Sequence, residues 1–328
     1  MNKKTIVFCT ICSGIAMIGL FVAILAGAKQ IPIKTIWDSI FHYEDVLEMQ
    51  LVRDVRIPRV ISTALVGGIL GITGAMMQGV TRNPIAEPSL MGITQGATFS
   101  IALASASPFL YGAMGNTMAA FLGAMISGLL VLGFSMKSAR NMNLSRLLLA
   151  GTALSTFFIS MATILALLTN KSQNIAFWIA GGFRSATWTS VKLLFVVGGI
   201  TTIIALFFAP KINIVNLGEE VCIGLGENPV KIRMWTLLLI IPMCAVCVAV
   251  AGNIAFIGLI VPYIIRKIVG QDYRLIMPIS FLAGATLVIW ADVLARLINQ
   301  PYETPIGLFT SLVGVPLFII MIRKEKVG

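Results

Sequence analysis

Apolar runs of near twenty residues, parted by short polar punctuation, make up almost all of this chain. Such a run, coiled as an α-helix, covers the roughly 30 Å of hydrocarbon in a bilayer. Ten segments of this kind are predicted, near residues 6–28, 57–80, 90–107, 113–136, 145–168, 190–209, 233–252, 255–268, 276–297 and 306–322. The eighth differs from the others. Its apolar stretch between Asn253 and Arg266 is short and carries Gly258 and Pro262, so it reads as a half-span or broken helix. Broken helices are tolerated at membrane depth only where protein or an aqueous cavity surrounds them. The fold class is therefore all-α and polytopic, with residues 1–328 taken as one transmembrane domain.

The second segment is the most informative. Gly67, Gly68, Gly71, Gly74 and Gly79 crowd it, and the pairs Gly67/Gly71 and Ala75/Gly79 have the small-x3-small spacing that lets helix backbones approach closely. A compact polar turn with Arg82, Asn83, Pro84, Glu87 and Pro88 follows. Parts of this region recur weakly near the C-terminus. The run after Ser62 resembles the run after Ser280, and Asn83 to Pro88 with Gly92 resembles Asn299 to Pro305 with Gly307. The two copies fall on opposite sides of the membrane, the pattern of an inverted repeat.

Composition sharpens the class. Charged residues make up 11% of the chain and hydrophobic residues 58%, with a mean hydropathy of +0.95, where soluble domains carry about 25% charged residues. The net charge of +11 reflects cytoplasmic loops and anionic headgroups, and nucleic acid is excluded as a partner. Most Lys and Arg residues fall on the side of the N-terminus, which predicts both termini in the cytoplasm. The first apolar run is longer than a signal-peptide core and lacks a cleavage site, so it is expected to remain as a span.

Chemistry is sparse. Cys9/Cys12 and Cys244/Cys247 each share a helix face, but their surroundings are aliphatic and lack the oriented second ligands a metal needs. They read as packing residues, and no metal site is predicted. The single His42 reads as a surface residue. No phosphate-binding loop of the G-x-x-x-x-G-K-[ST] type occurs, and no nucleophile–base set can be built. Within the spans Asp292 is the lone well-embedded acid, with Arg296 one turn later as its partner. An ion-coupled carrier would need a membrane-embedded carboxylate relay, so the energy is expected from another subunit. The cytoplasmic loop at 210–233 has an amphipathic pattern (Ile214, Leu217, Val221, Leu225) broken by Gly218, Gly224 and Gly226. It predicts two short helices presenting a partner-binding face.

A series of motifs then matches a known family. They are Arg56-Ile-Pro-Arg59, QGVTRNPIAEPSLMG from Gln78 to Gly92, LAGTALS from Leu149 to Ser155, Leu217-Gly-Glu-Glu220, GNIAFIGLIVPYIIR from Gly252 to Arg266, ADVLAR from Ala291 to Arg296, and Glu303-Thr-Pro-Ile-Gly307. In this order they resemble the FecCD-type permease of ABC importers for iron-siderophores, haem and vitamin B12. The resemblance covers essentially the whole chain. It implies a vitamin B12 importer permease-like fold of about ten helices, in the inner membrane of a bacterium. It also implies a second permease chain, identical or paralogous, two ABC ATPase subunits that hydrolyse ATP, and an extracytoplasmic substrate-binding protein. Arg56, Arg59 and Arg296 match the arginines that receive acidic residues of that binding protein. Leu217, Gly218, Glu219 and Glu220 match the ATPase coupling loop, Asn83, Pro84 and Ile85 the cytoplasmic gate, and Gly151 and Ser155 the translocation path. No cofactor is expected on this chain, and a ferric siderophore is the expected cargo, with haem or vitamin B12 as alternatives. Tyr263 stands where the family has histidine, and Gly181-Gly182 follow Trp178 where Gly-Ser is common.

Overall fold

The computed structural model describes residues 3–27, 29–106, 108–136, 144–300 and 302–325. These residues form helices and connecting turns. The helix α1 (Lys3–Leu25) leads into two short elements, α2 (Ile33–Phe41) and α3 (Leu47–Gln50), and a π-helical turn at Leu51–Arg56 joins α3 to α4 (Ile57–Thr81). Then follow α5 (Ile93–Ala106), α6 (Pro108–Met136), α7 (Leu144–Leu168) and α8 (Ser172–Ile179). A second composite element runs through α9 (Trp188–Leu193), a π-helical stretch and α10 (Ile200–Leu217). The short α11 (Glu219–Gly224) precedes α12 (Pro229–Ala251), α13 (Ile257–Val269), α14 (Tyr273–Leu297) and α15 (Ile306–Glu325).

Ten of these helices fall on the ten predicted segments. Among the described residues, seven helical segments are individually long and apolar enough to cross a membrane. The rest of the expected ten are shorter, and α13, with 13 residues, covers only about 20 Å at 1.5 Å per residue. The eighth segment is thus a part-span, as its length implied. The stretch before α4 and the loop after α7 contain the helices α2, α3 and α8, which the apolar pattern did not single out.

Burial sorts the helices into layers. The apolar windows of α4, α12 and α14 are 78%, 72% and 61% buried, against 22% for α1, α7 and the α9–α10 element. The first three form the centre and the others present apolar faces outward. Glycine explains how the centre closes. A Cβ on Gly67 would collide with the backbone of Gly284, one on Gly71 with Ser280, and one on Gly74 with Gly258. As numbering rises on α4 it falls on α14, so these helices cross antiparallel with backbones in contact. The crossing joins the two segments whose sequences resemble each other. A second crossing of this type joins Gly96 of α5 to Gly123 of α6.

Local signals set the helix ends. Arg82 closes α4 in the left-handed conformation at φ 52°. The Asn228 side chain caps α12 by accepting from the Lys231 amide, and Pro229 sits in its first turn. Asp272 caps α14 through the Arg274 amide and also accepts from Asn213 Nδ2 at 2.7 Å, while Asn213 Oδ1 accepts from the Tyr273 amide. This reciprocal pair locks α10 to the start of α14. The Asn213 amide, with the Arg274 backbone and charge, holds the Asp272 carboxyl below its ordinary range.

Gly74→Ala places a methyl against the Gly258 backbone and is expected to cost about 1–3 kcal/mol, the usual range for overpacking. Gly14→Ala, at a position with open space around it, should leave thermal unfolding of the detergent-solubilised protein unchanged. Equal melting of both variants would show that the close crossing does not carry the fold.

Candidate functional site

At the end of the molecule where α4 begins, Arg56, Arg59 and Arg296 converge as predicted. Each is only 6–7% exposed. Arg56 donates to the carbonyls of Ile24 and Leu25 at 2.8 and 2.9 Å, and to that of Lys29, closing the open C-terminus of α1. Arg59 donates Nη2 to Asp292 Oδ1 at 2.8 Å and Nη1 to Glu303 Oε1 at 2.6 Å. Arg296 donates to the Ala23 and Ala26 carbonyls and holds Nη2 2.9 Å from Asp292 Oδ2, a charge contact without hydrogen-bond alignment. Asp292 is fully buried and therefore serves two arginines, one more than its sequence position implied. The arginines are turned inward, with their charge answered from within the chain.

Glu303, between α14 and α15, is the exposed edge of this network. Its Oε2 lies 3.6 Å from Arg184 Nε. Burial works against its carboxylate, but the hydrogen bond and charge of Arg59, aided by Arg184 and Arg296, hold it below the usual range. Its contribution to stability is therefore present above the ordinary carboxylate range and lost as pH falls through the depressed value. Two clefts of about 250 Å3 flank the network, one beside Gly181, Gly182 and Arg184, the other beside Lys29 and Arg56.

Below this rim the chain is unwound. Gly252, at φ 66°, ends α12, and residues 253–256 run without helix to Phe256, which takes the left-handed conformation at φ 71°. The turn after α8 supports the top of this strand, since Gly182 N–H donates to Ala251 O at 2.9 Å and Gly181 lies against Asn253 O. Only a small residue fits at Gly181, where a Cβ would collide with Asn253 O, and both Gly181 and Gly182 have positive φ, at 73° and 150°. At the bottom, Glu87 Oε1 accepts the Phe256 amide at 2.9 Å. The polar turn after α4 thus reaches into the protein interior and satisfies the donor that opens α13. Glu87 was not predicted to act here. Its motif position flagged the turn, but only the tertiary fold brings it to Phe256.

Within the predicted gate, Asn83 Oδ1 accepts the Ile85 amide at 3.0 Å, and the Ala86 amide donates to Asn83 O. This side-chain turn fixes Asn83, Pro84 and Ile85 directly after the α4 terminus. Beside it, Gln78 donates to the carbonyls of Gly258 and Leu259 and accepts from Arg266, pinning α13 to α4. Tyr263 is half-buried on α13 with the Lys267 ammonium 5.5 Å from its ring centre.

Around Gly218 the sequence predicted two short helices within 210–233. The structure has one, α11, because α10 continues through Pro210 to Leu217 and α12 already starts at Pro229. Leu217, Val221, Ile223 and Leu225 are all exposed. Glu219 is paired, its Oε1 accepting from Arg233 Nη1 at 2.6 Å, and Arg233 Nε donates to Val80 O in the last turn of α4. The loop and the gate turn are therefore tied through one arginine. Gly151 and Ser155 of α7 face inward. Gly92 lies against both, and Ser155 Oγ is 3.4 Å from Gln95 Oε1. The exposed stripe of α7 is the neighbouring one, with Thr152, Thr156, Ser160 and Thr163 donating their hydroxyls to carbonyls three or four residues back.

The FecCD transport family model matches residues 15–324. The chain belongs to the FecCD transport family. Among curated relatives of this FecCD chain, the iron(3+)-hydroxamate import system permease protein FhuB of Bacillus subtilis is 41% identical over 312 residues, covering 95% of this chain and 81% of that protein. The Fe(3+) dicitrate transport system permease protein FecC of Escherichia coli is 38% identical, covering 84% and 83%. The hemin transport system permease protein HmuU of Yersinia pestis is 33% identical, covering 92% and 90%. A solved chain described as an inward-facing metal-chelate type ABC transporter aligns with a TM-score of 0.82 at 27% identity, covering 96% of this chain and 98% of that one. The FecCD chain is thus a multi-pass membrane protein of a family of ABC transporter permease subunits.

Two pairs of variants test the interior contacts. Asp292→Asn leaves Arg59 and Arg296 buried with too little charge and should cost about 3–5 kcal/mol, whereas Glu303→Gln, at the wetter edge, should cost clearly less in the same melting assay. Glu87→Ala orphans the Phe256 amide, at about 1–3 kcal/mol. Glu87→Gln keeps an acceptor in place and should melt near the parent. If the alanine and glutamine variants melt together, Glu87 does not hold α13.

Proposed function

We propose that this chain is the membrane permease of an ATP-driven importer that carries a ferric siderophore into the cytoplasm by alternating access. The observation that supports this most is the 41% identity over 95% of the chain to an iron(3+)-hydroxamate permease, against 33% to a hemin permease. Two permease chains surround the path, two ATPase subunits bind below them, and a substrate-binding protein docks above. Both termini lie in the cytoplasm. The chain itself hydrolyses nothing and holds no cofactor.

In this reading the 217–220 segment seats in the ATPase. The exposed apolar set Leu217, Val221, Ile223 and Leu225 supplies the surface, since a solvated linker would have no use for it. Movement passes from Glu219 through Arg233 to the end of α4, and so to the gate at Asn83, Pro84 and Ile85. The path is bordered by α7, through the exposed stripe of Thr152, Thr156 and Ser160 that runs beside the inward-packed Gly151 and Ser155. Docking takes place on the rim held by Arg56, Arg59 and Arg296, where an acidic residue of the binding protein reaches Arg59 by displacing Glu303. Specificity for the chelate rests mainly with that binding protein.

The test is uptake of radiolabelled iron chelate by proteoliposomes holding the assembled complex. Uptake should require ATP and the binding protein and should survive collapse of the proton gradient. Uptake without ATPase subunits that stops on adding an uncoupler would assign the chain to ion-coupled carriage. Arg233→Ala should lower transport per ATP hydrolysed by roughly two- to thirtyfold, the range of 0.5–2 kcal/mol seen for coupling residues, while hydrolysis itself continues.

A further inference from the structure

The connection between α1 and α4 contains an amphipathic helix whose exposed side is the apolar one. Along α2, Ile33, Trp37, Ile40 and Phe41 recur at helical spacing on one face, and they are 63%, 61%, 52% and 60% exposed. The rings of Trp37 and Phe41 touch, with centroids 4.6 Å apart. Val46 and Leu47, where α3 begins, are exposed as well. The inward side of the helix carries Ile36 and Ser39, both buried. An exposed face built of Trp, Phe and Ile on a nine-residue helix needs an occupant.

Three observations identify that occupant. First, α2 lies level with the ends of two membrane helices. Ile31 and Ile36 pack with Val52 into a small cluster that includes Ile24 and Leu25 of α1 and Ile57 of α4, and Arg56 binds the last carbonyls of α1 at the same height. Second, α1, whose last residues Ile24 and Leu25 join that cluster, itself carries exposed apolar residues at Ile11, Ile15, Ile18 and Phe21, the surface expected of a helix against lipid. Third, other aromatics gather nearby. Arg53 lies 4.7 Å from the centre of the exposed Tyr43 ring, and its carbonyl accepts from Trp188 Nε1 at 3.0 Å. Tryptophan and tyrosine concentrate where the acyl chains meet the headgroups, because one part of each ring system is apolar and another hydrogen-bonds.

We infer that α2 is an interfacial anchor that lies along the phospholipid surface, with Ile33, Trp37, Ile40 and Phe41 immersed at the headgroup–acyl boundary. Lys34, at the border of this face and exposed, reaches the phosphate level while its stem stays on the apolar side. The anchor is joined through Val52 and Arg56 to the first turn of α4. It thus fixes the depth at which the arginine network stands relative to the bilayer.

The test uses the full chain in lipid nanodiscs and the fluorescence difference between the parent and Trp37→Phe, which isolates one of the five tryptophans. Lipids brominated near the headgroup should quench this difference at least about twofold more strongly than lipids brominated near the acyl terminus, as for an interfacial residue. Aqueous iodide should quench it weakly. Ile33→Trp in the Trp37→Phe background should repeat that pattern one turn away and guards against a local perturbation at position 37. Strong iodide quenching with no effect of brominated lipid would overturn the inference. So would a signal that changes only when a soluble binding protein is added, which would make the patch a protein-docking face.

Discussion

The bare backbone crossing of α4 with α14 and α13 is the contact on which the other features depend. At Gly67, Gly71 and Gly74 no side chain stands between the helices, so their axes approach to a distance no larger residue allows. In a bilayer, helices gain nothing from hiding apolar surface from lipid, and close packing is the main attraction available. This approach sets the reach of everything attached to α4. It brings Arg59, above the glycines, to Asp292 of α14, and Gln78, below them, to the carbonyls of α13. One spacing rule in a single helix thus organises both the charged rim and the pinned part-span.

Charge and unpaired backbone then determine where irregular structure can exist. Buried ions are tolerated when paired and hydrogen-bonded, and the rim meets that demand by giving Asp292 two arginines and giving the α1 C-terminus two more sets of donors. The unwound residues 253–256 face the corresponding problem with amides. The Glu87 carboxylate accepts the Phe256 amide, and the Gly182 amide satisfies the Ala251 carbonyl where α12 ends. A helix that breaks in the membrane is therefore held by the two turns that sequence inspection marked as unusual, the one after Trp178 and the one after Arg82.

The sequence was most legible where a single helix carried the signal. Apolar length located the membrane helices, the Gly67/Gly71 spacing announced the close crossing, and the Gly258 and Pro262 pair with a short apolar run announced the part-span. Contacts made across long separations were not legible. Nothing local says that Glu303 meets Arg59 or that Glu87 meets Phe256, because both pairings form only after α4 has packed. Exposure was equally hidden. Arg56 and Arg59 look like surface cations at a helix end, yet the carbonyls of α1 and the Asp292 carboxylate draw them inward. The loop at Gly218 was drawn too long because glycine spacing does not reveal that α10 continues through Pro210, whose ring is accommodated in the helix. Amphipathic α2 escaped notice because its nine residues are too few for a span.

The hydroxyl row of α7 has a consequence for how a solute would meet it. Thr152, Thr156, Ser160 and Thr163 each commit their one proton to a carbonyl of their own helix. Outward, they show only oxygen lone pairs and methyl or methylene groups. Such a strip is wettable but cannot donate, so water can bridge to it while an oxygen-rich molecule finds no direct hydrogen-bond donor there. It would be a lubricated wall, and its lack of grip comes from the ordinary way serine and threonine are accommodated inside a helix.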